Sequence, residues 1–376
     1  MKRIVFTVTN DLSFDQRMQR ICTSLANAGY DVLLIGRKMK NSVVLKEESY
    51  KQKRLHCFFT KNFLFYAEYN FRLFFYLLFI KMDAVCAIDL DTILPCYFIS
   101  VLRRKKRVYD AHELFTEMKE IVTRPTIKKI WMKIEKFAVQ KFKLGYTVSY
   151  SIAEEFKKRY NVLYEVIRNM PVPKKDHVTL EPRQETAQSA KSIQKEKVIL
   201  YQGAVNEARG LENLVAAMHY VDATLHIYGD GNMYKKIESL IQKNNLQHKI
   251  ILKGKVVPEV LQVITQQAYI GINLVEPTGL NQIYSLANKF FDYIHAGVPQ
   301  ITMNFPEYKK INDEFEVAVL IDSISETEIV KAINLLLNNE MVYKKLKNTC
   351  ITARKIFNWQ QEETKLTSFY KKVFIY

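Results

Sequence analysis

Residues 285–301 read SLANKFFDYIHAGVPQI, and the fold follows from how this stretch starts and stops. Ser285 is placed to cap a helix whose buried face holds Phe290, Phe291 and Ile294, the first and last of these one turn apart. Gly297 can take the left-handed conformation that closes a helix, and Pro299 cannot continue one. AYIGINL before the helix and PQITM after it are short apolar runs suited to strands. The segment therefore reads strand, loop, helix, strand, which is one unit of a parallel α/β sheet. At such a helix start the N–H groups of Leu286, Ala287 and Asn288 face the preceding loop, and a helix N-terminus favours anions. Lys289 would add charge there, and Asp292, a turn later, could accept hydrogen bonds from sugar hydroxyls. The competing reading is a core helix with an ordinary cap.

Working outward, the same alternation fills the chain. RIVFTV, a loop, QRMQRICTSLANAGY with Met18, Ile21, Cys22, Leu25 and Ala26 at helical spacing, and DVLLIG make a β-loop-α-β start. DAVCAI, RVYDAHE and LGYTVSY continue it as strands, with WMKIEKFAVQKF as an amphipathic helix. Residues 173–196 are polar and nearly free of large apolar residues, which predicts a linker. The pattern then restarts with VILYQG, LENLVAAMHYV, TLHIYGDG, MYKKIESLIQKNNL and KIILKG. The expected architecture is α/β, two Rossmann-like doubly wound domains with a cleft between them. Residues 1–172 form the first, 197–355 the second, and 356–376 a terminal helix crossing back to the first.

The chain carries a formal charge of +17, unevenly spread. Residues 1–170 hold 31 lysines and arginines against 17 acidic residues. Clusters such as RRKKR at 103–107 predict an anionic partner surface, either lipid headgroups or nucleic acid, unless the charge only solubilises that face. Five cysteines without a C-x-x-C pair argue against a disulfide framework or a zinc site and fit a reducing cytoplasm. The N-terminal apolar run is too short for a signal peptide. Residues 63–80 are the most membrane-like, but Glu68, Asn70 and Arg72 interrupt them, so they are not expected to span a bilayer. They suit either a packed helix or insertion at a membrane interface.

The 285–301 stretch resembles the donor-nucleotide motif of retaining GT-B glycosyltransferases, specifically glycosyltransferase family 4 of the bacterial cell-surface polysaccharide type. That family carries Glu-x7-Glu ahead of A-G-x-P. Here the second Glu position is Asp292 and the first is Tyr284, which removes the carboxylate that usually lies near sugar and phosphate. Asn288, Lys289 and Glu276 are the nearby polar residues that could compensate. YQGAVNEARGLENLVAAM resembles the family's strand, Gly loop containing Gly203, and basic-residue-Gly before a helix. Arg209 stands where the family has its diphosphate-binding Lys, and Ala204 stands where it usually has an Arg. IYGDGNM, KIILKGKV, AIDLDTILP, VYDAHELFTEM and the late Trp359 extend the resemblance along nearly the whole chain.

The resemblance implies a retaining, metal-independent glycosyltransferase of hexosyltransferase type. Its donor would be a nucleotide-diphosphate sugar, and its acceptor a hydroxyl on a lipid-linked or cell-surface glycan. It implies no cofactor, no nucleic acid partner, and a cytoplasmic location with peripheral binding at the inner membrane face. His112, Arg209 and Lys289 are the implied catalytic residues. Gly203, Arg209, Leu286, Ala287, Asn288, Lys289 and Asp292 are implied to bind the donor. A loop histidine with an ordinary hydrogen bond is the alternative for His112, with Glu113 its structural partner. Asp15 and Arg17, in the first strand-to-helix loop, are candidates for acceptor contact. Asp89-Leu90-Asp91 lacks a neighbouring ligand cluster and reads as a turn or helix cap, not a metal site. A nucleotide-sugar epimerase and a non-catalytic sugar-nucleotide-binding subunit remain alternatives.

Overall fold

The computed structural model describes residues 1–173 and 197–375. From residue 174 on, the expected linker lies outside the described residues. The chain divides into two compact units. Met1–Asn169, Gly279–Ser285 and Gln360–Tyr376 form the first, and Met170–Thr278 with Leu286–Trp359 the second.

The first unit is built on a seven-stranded sheet of order β3-β2-β1-β4-β5-β6-β7. Its strands are β1 (Arg3–Thr7), β2 (Asp31–Lys38), β3 (Lys51–His56), β4 (Ala84–Ile88), β5 (Lys106–Ala111), β6 (Leu144–Thr147) and β7 (Glu165–Val166), all paired in parallel. Central β4, AVCAI, is buried at every position, as expected for a parallel strand with both faces covered. β3, KQKRLH, alternates exposed and covered residues and blunts the sheet edge with charge. Its lysines and arginine hide it from a search for apolar runs.

The second unit repeats the plan with six parallel strands in the order β10-β9-β8-β11-β12-β13. These are β8 (Val198–Gln202), β9 (Thr224–Tyr228), β10 (Ile250–Gly254), β11 (Ile270–Asn273), β12 (Gln300–Met303) and β13 (Ala318–Ile321). Both sheets reverse direction of strand addition once, between β1 and β4 and between β8 and β11. In a doubly wound sheet the loops at the strand C-termini beside such a reversal form the ligand crevice.

The helix expected after Ser285 runs Asn288–Ala296 and ends at Gly297, whose φ is +67°. Phe290, Phe291 and Ile294 are buried as the spacing predicts, and Tyr293 joins them with its hydroxyl donating to the Leu200 carbonyl at 2.9 Å. The start differs from expectation. Ala287 is the capping position, and Ser285 instead donates its hydroxyl to the Gln282 carbonyl at 2.8 Å, closing a short preceding turn of helix, Leu280–Ile283. Two successive short helices replace one, because Ser285 is consumed by the first. All five cysteines are free and buried. Among the described residues no helix is long and apolar enough to cross a membrane.

Candidate functional site

In the second unit the loops after β8 and β9 are laced together. Gly203 donates its N–H to the Tyr228 carbonyl at 2.9 Å, and Val205 to that of Asp230 at 3.0 Å. The approach is so close that a Cβ on Gly229 would stand 1.8 Å from the Gly203 oxygen. Beyond the laced strand ends lies a cavity of about 470 Å³ whose lining includes Gly203, Ala204, Tyr228, Gly229, Lys255 and Leu261.

Gly203 also faces Lys289: a Cβ there would meet the Lys289 Cε at 3.4 Å. The Lys289 ammonium rests 3.9 Å from the centroid of the Tyr201 ring, a cation–π contact. Tyr201 is fixed by its hydroxyl donating to the Ala204 carbonyl at 2.7 Å. Burial, then the positive charge of Arg209, pushes the Lys289 amine well below its ordinary pKa, although Asp292 pulls the other way. Arg209 is presented on a turn between Ala208 and Gly210, both at positive φ (+60° and +63°). Glu276 is tied beside that turn by its N–H, which donates to the Ala208 carbonyl at 3.1 Å. Among the described residues neither Lys289 nor Arg209 forms an ion pair with a carboxylate. A buried amine beside an arginine, with no carboxylate ion-paired to either, is a setting in which a bound anion would favour the protonated amine.

The remaining donor candidates surround these two. Asp292 accepts from Gln202 Nε2 at 3.1 Å, and Gln202 accepts in turn from the Thr265 hydroxyl at 2.7 Å. The Ala287 N–H donates to the Tyr308 hydroxyl at 3.0 Å, so this helix-start donor is engaged inside the protein. Asn288 and Lys289 open the helix itself, and Leu286 packs against the core of the second unit. Tyr201, Gln202 and Tyr308 were not singled out in sequence. The only trace of the first two is that they close a strand immediately before a glycine.

The first unit holds a second cluster, at the ends of β4 and β5. Asp110, with no exposed surface, pairs with the Arg17 guanidinium at 2.9 Å. Arg17, 5% exposed, also donates to the Ile167 carbonyl at 3.1 Å. His112 Nε2 lies 2.9 Å from Arg17 Nε and 3.1 Å from Asp110 Oδ2. That nitrogen can serve only one at a time: unprotonated it accepts from Arg17, protonated it donates to Asp110. Burial alone would lower the His112 pKa, but Asp110 and Asp89 outweigh it and raise it to about 9. Asp110 and Asp89 thus favour the charged form of His112, in which Nε2 donates to Asp110.

Asp89 is the residue the sequence undersold. It begins a short 3-10 turn, as expected, but its carboxylate caps nothing there. Instead Oδ1 accepts the His112 N–H at 2.7 Å, with Asp89 held at φ +50°. Burial raises Asp89 to about 7 against the pull of His112. Burial likewise raises Asp91 to about 6, although the Thr9 hydroxyl donates to it at 2.8 Å. No group of three His, Cys, Asp or Glu able to hold a metal occurs among the described residues.

The Gly279–Ser285 segment belongs to this cluster's surroundings. Leu114 N–H donates to the Asn281 side-chain oxygen at 2.9 Å, and the Asn281 amide donates to Glu113 at 3.0 Å. The Ser149 hydroxyl donates to the Tyr284 carbonyl at 3.0 Å. Glu113 is thus a structural partner of Asn281. Asp15 caps the Gln16–Asn27 helix by accepting the Met18 N–H at 3.1 Å.

Residues 182–355 match the family model described as glycosyl transferases group 1. This stretch of the chain is similar to the group 1 glycosyl transferases. An uncharacterised glycosyltransferase of Methanocaldococcus jannaschii is 25% identical over 163 residues, which is 43% of this chain and 44% of that protein. The fold is shared more widely. Sucrose-phosphate synthase from Thermosynechococcus elongatus matches with TM-score 0.77 at 16% identity, covering 100% of both chains. Anabaena HepE, solved in complex with UDP and glucose, matches with TM-score 0.74 at 12% identity over 99% of this chain and 100% of its own. The two parallel sheets are the two Rossmann-like domains of the GT-B fold. The matched residues include Gly203, Arg209, Lys289 and Asp292, whereas Asp15, Arg17 and His112 lie outside them.

Proposed function

We propose that this chain is a retaining, metal-independent glycosyltransferase. It takes a hexosyl group from a nucleotide-diphosphate sugar and passes it to a hydroxyl of a lipid-linked or cell-surface glycan at the cytoplasmic face of the membrane. The observation that carries this reading is Lys289 set beside Gly203, with Arg209 near enough to act on its charge and, among the described residues, no carboxylate ion-paired to either. The neighbouring cavity of about 470 Å³ is the size expected of a small-molecule site. A relative of the same fold is solved with UDP and glucose.

As the bond from anomeric carbon to phosphate breaks, negative charge grows on the departing diphosphate oxygens. Arg209, Lys289 and the N–H groups of Asn288 and Lys289 at the helix start are the groups to stabilise it, and such stabilisation is commonly the largest catalytic contribution. Lys289 starts with a depressed pKa, so growing anionic charge beside it favours its protonated form. The cation pair supplies the charge compensation for which other transferases use a metal ion. Asp292, oriented by Gln202, holds ribose hydroxyls. In the first unit His112 positions sugar and acceptor, with Asp89 and Asp110 fixing it and Arg17 holding Asp110 in place. Asp15 contributes at the acceptor side.

Tyr284 and Ala204, where the family has Glu and Arg, favour a second reading in which the chain binds a sugar nucleotide without turning it over. One assay separates the readings. The protein is incubated with UDP-, GDP- and ADP-sugars plus a bacterial membrane-lipid extract, and nucleoside diphosphate, glycosylated lipid and epimerised donor are all quantified. Transfer that disappears in Arg209→Ala supports the proposal. Tight binding with no release of diphosphate supports the non-catalytic reading, and epimerised donor supports an epimerase.

A further inference from the structure

Three helices of the first unit, Asn62–Phe79, Ile93–Leu102 and Pro125–Val139, connect β3 to β4, β4 to β5 and β5 to β6. All three crossovers add strands in the same direction, so right-handedness places them on one face of the sheet. They pack in that order, the first against the second and the second against the third. Each buries one stripe on the sheet, and each is apolar on its outer side as well.

In the first helix Phe65, Tyr69, Leu73 and Leu77 point inward, each one turn from the next. Phe71, Phe75 and Phe79 repeat the same spacing on the outside, at 66%, 44% and 80% exposure. Phe98, Val101 and Leu102 are exposed on the second helix, and Ile127, Ile130 and Phe137 on the third. Phe98 and Phe137 lie with ring centroids 6.5 Å apart, so the aromatic surface continues from one helix to the next. A monomer rarely leaves so much contiguous apolar surface to water.

The charge around this surface has one sign. The three helices contain two carboxylates between them, and neither is available to solvent cations. Glu68 accepts the Phe58 and Phe59 N–H groups and pairs with Arg72 at 2.7 Å. Glu135 is buried and accepts from the Thr116 and Tyr160 hydroxyls at 2.8 and 2.7 Å. Lys129, Lys133 and Lys136 on the third helix are exposed and have no carboxylate partner among the described residues. Lys61, Lys81 and Arg104 stand exposed at the ends of the first two helices.

We infer that this three-helix face docks on an anionic bilayer surface, with the outer phenylalanines entering the headgroup boundary and the lysines meeting lipid phosphates. No helix among the described residues is long and apolar enough to cross, so the chain lies on the membrane through this face. A protein partner would need to be both apolar and acidic over the same area. An anionic bilayer offers both properties everywhere, and each basic residue at its surface strengthens the attachment. This inference stands on the three helices alone and does not depend on the glycosyl transfer reading.

The test is co-sedimentation of the full chain with two kinds of vesicle, phosphatidylcholine alone and phosphatidylcholine with about a third phosphatidylglycerol. Binding is expected only to the second kind and should weaken with salt. It should fall roughly tenfold or more in Phe71→Ser/Phe75→Ser/Phe79→Ser and in Lys129→Glu/Lys133→Glu/Lys136→Glu. The lysine variant touches no buried side chain and serves as the readout if the phenylalanine variant misfolds. Binding unchanged in the lysine variant, or no binding to either vesicle, overturns the proposal. A dimer that the phenylalanine variant converts to monomer, with no vesicle binding, would assign the face to a second copy of the chain instead.

Discussion

The depressed pKa of Lys289 makes a measurable prediction about protons. Burial and the nearby Arg209 both disfavour the charged amine, and only Asp292 opposes them. A diphosphate bound against Gly203 would set negative charge beside both cations and return the Lys289 pKa toward its ordinary value. At a pH between the lowered and restored values, the free site holds a neutral amine and the occupied site an ammonium. Binding must then take up as much as one proton, and affinity must fall as pH rises through that window. Calorimetry of nucleoside diphosphate binding in buffers of different ionisation enthalpy reads this uptake directly. In Lys289→Met the uptake should vanish, and loss of a hydrogen bond to a charged group costs about 1.5–3 kcal/mol, roughly 10–150-fold in Kd. Arg209→Ala should weaken binding by a similar factor while also shrinking the uptake, because Lys289 then starts closer to its charged form. A binding enthalpy independent of buffer, with affinity flat in pH, would refute the reasoning even if the nucleotide binds.

Two further predictions concern the frameworks that hold the sites. Asp110→Asn leaves Arg17 buried without its counter-ion and should destabilise the protein by roughly 3–5 kcal/mol in urea titration; a loss under about 1 kcal/mol would mean the pair is inert. The same variant should lower the His112 pKa seen by NMR. In the wild type a folded value of about 9 above the ordinary 6.5 gives stability that is fully present below pH 6.5 and lost as pH rises through 9. The gap corresponds to roughly 3 kcal/mol. Gly229→Ala should cost about 2 kcal/mol or more, because its Cβ meets the Gly203 oxygen at 1.8 Å, whereas Gly254→Ala, with φ +68° and nothing within 4 Å, should cost only about 1 kcal/mol. Equal losses at both glycines would remove the close approach as an explanation.

The alternation of strands and helices was legible because the central strands of parallel sheets are continuous apolar runs, and VILYQG or DAVCAI resembles nothing else. The edges were not. β3 is a charged strand exposed along one side, and β13 is only four residues long. The helix over Asn288–Ala296 was legible from its glycine stop and buried stripe, but its start was not, because Ser285 could cap either of two turns and chose the earlier. Arg209 and Lys289 could be named from the sequence because Arg-Gly and Asn-Lys mark their loops. Their convergence on Tyr201 depends on how β8 and the later helix pack, and no local pattern encodes that. Asp89 shows the same limit from the other side. A carboxylate that starts a turn looks like a cap, and only the fold reveals that it reaches the His112 N–H from the neighbouring strand.

The central claim is that the second unit binds a nucleoside diphosphate through Arg209 and Lys289. The most direct measurement is a metal-free binding panel of UDP, GDP, ADP and CMP against the wild type, Arg209→Ala and Lys289→Met. The account predicts that one diphosphate binds clearly, that CMP binds weakly, and that either substitution weakens the diphosphate by roughly tenfold or more. No binding by any of the diphosphates, or equal affinity in wild type and both variants, would contradict it.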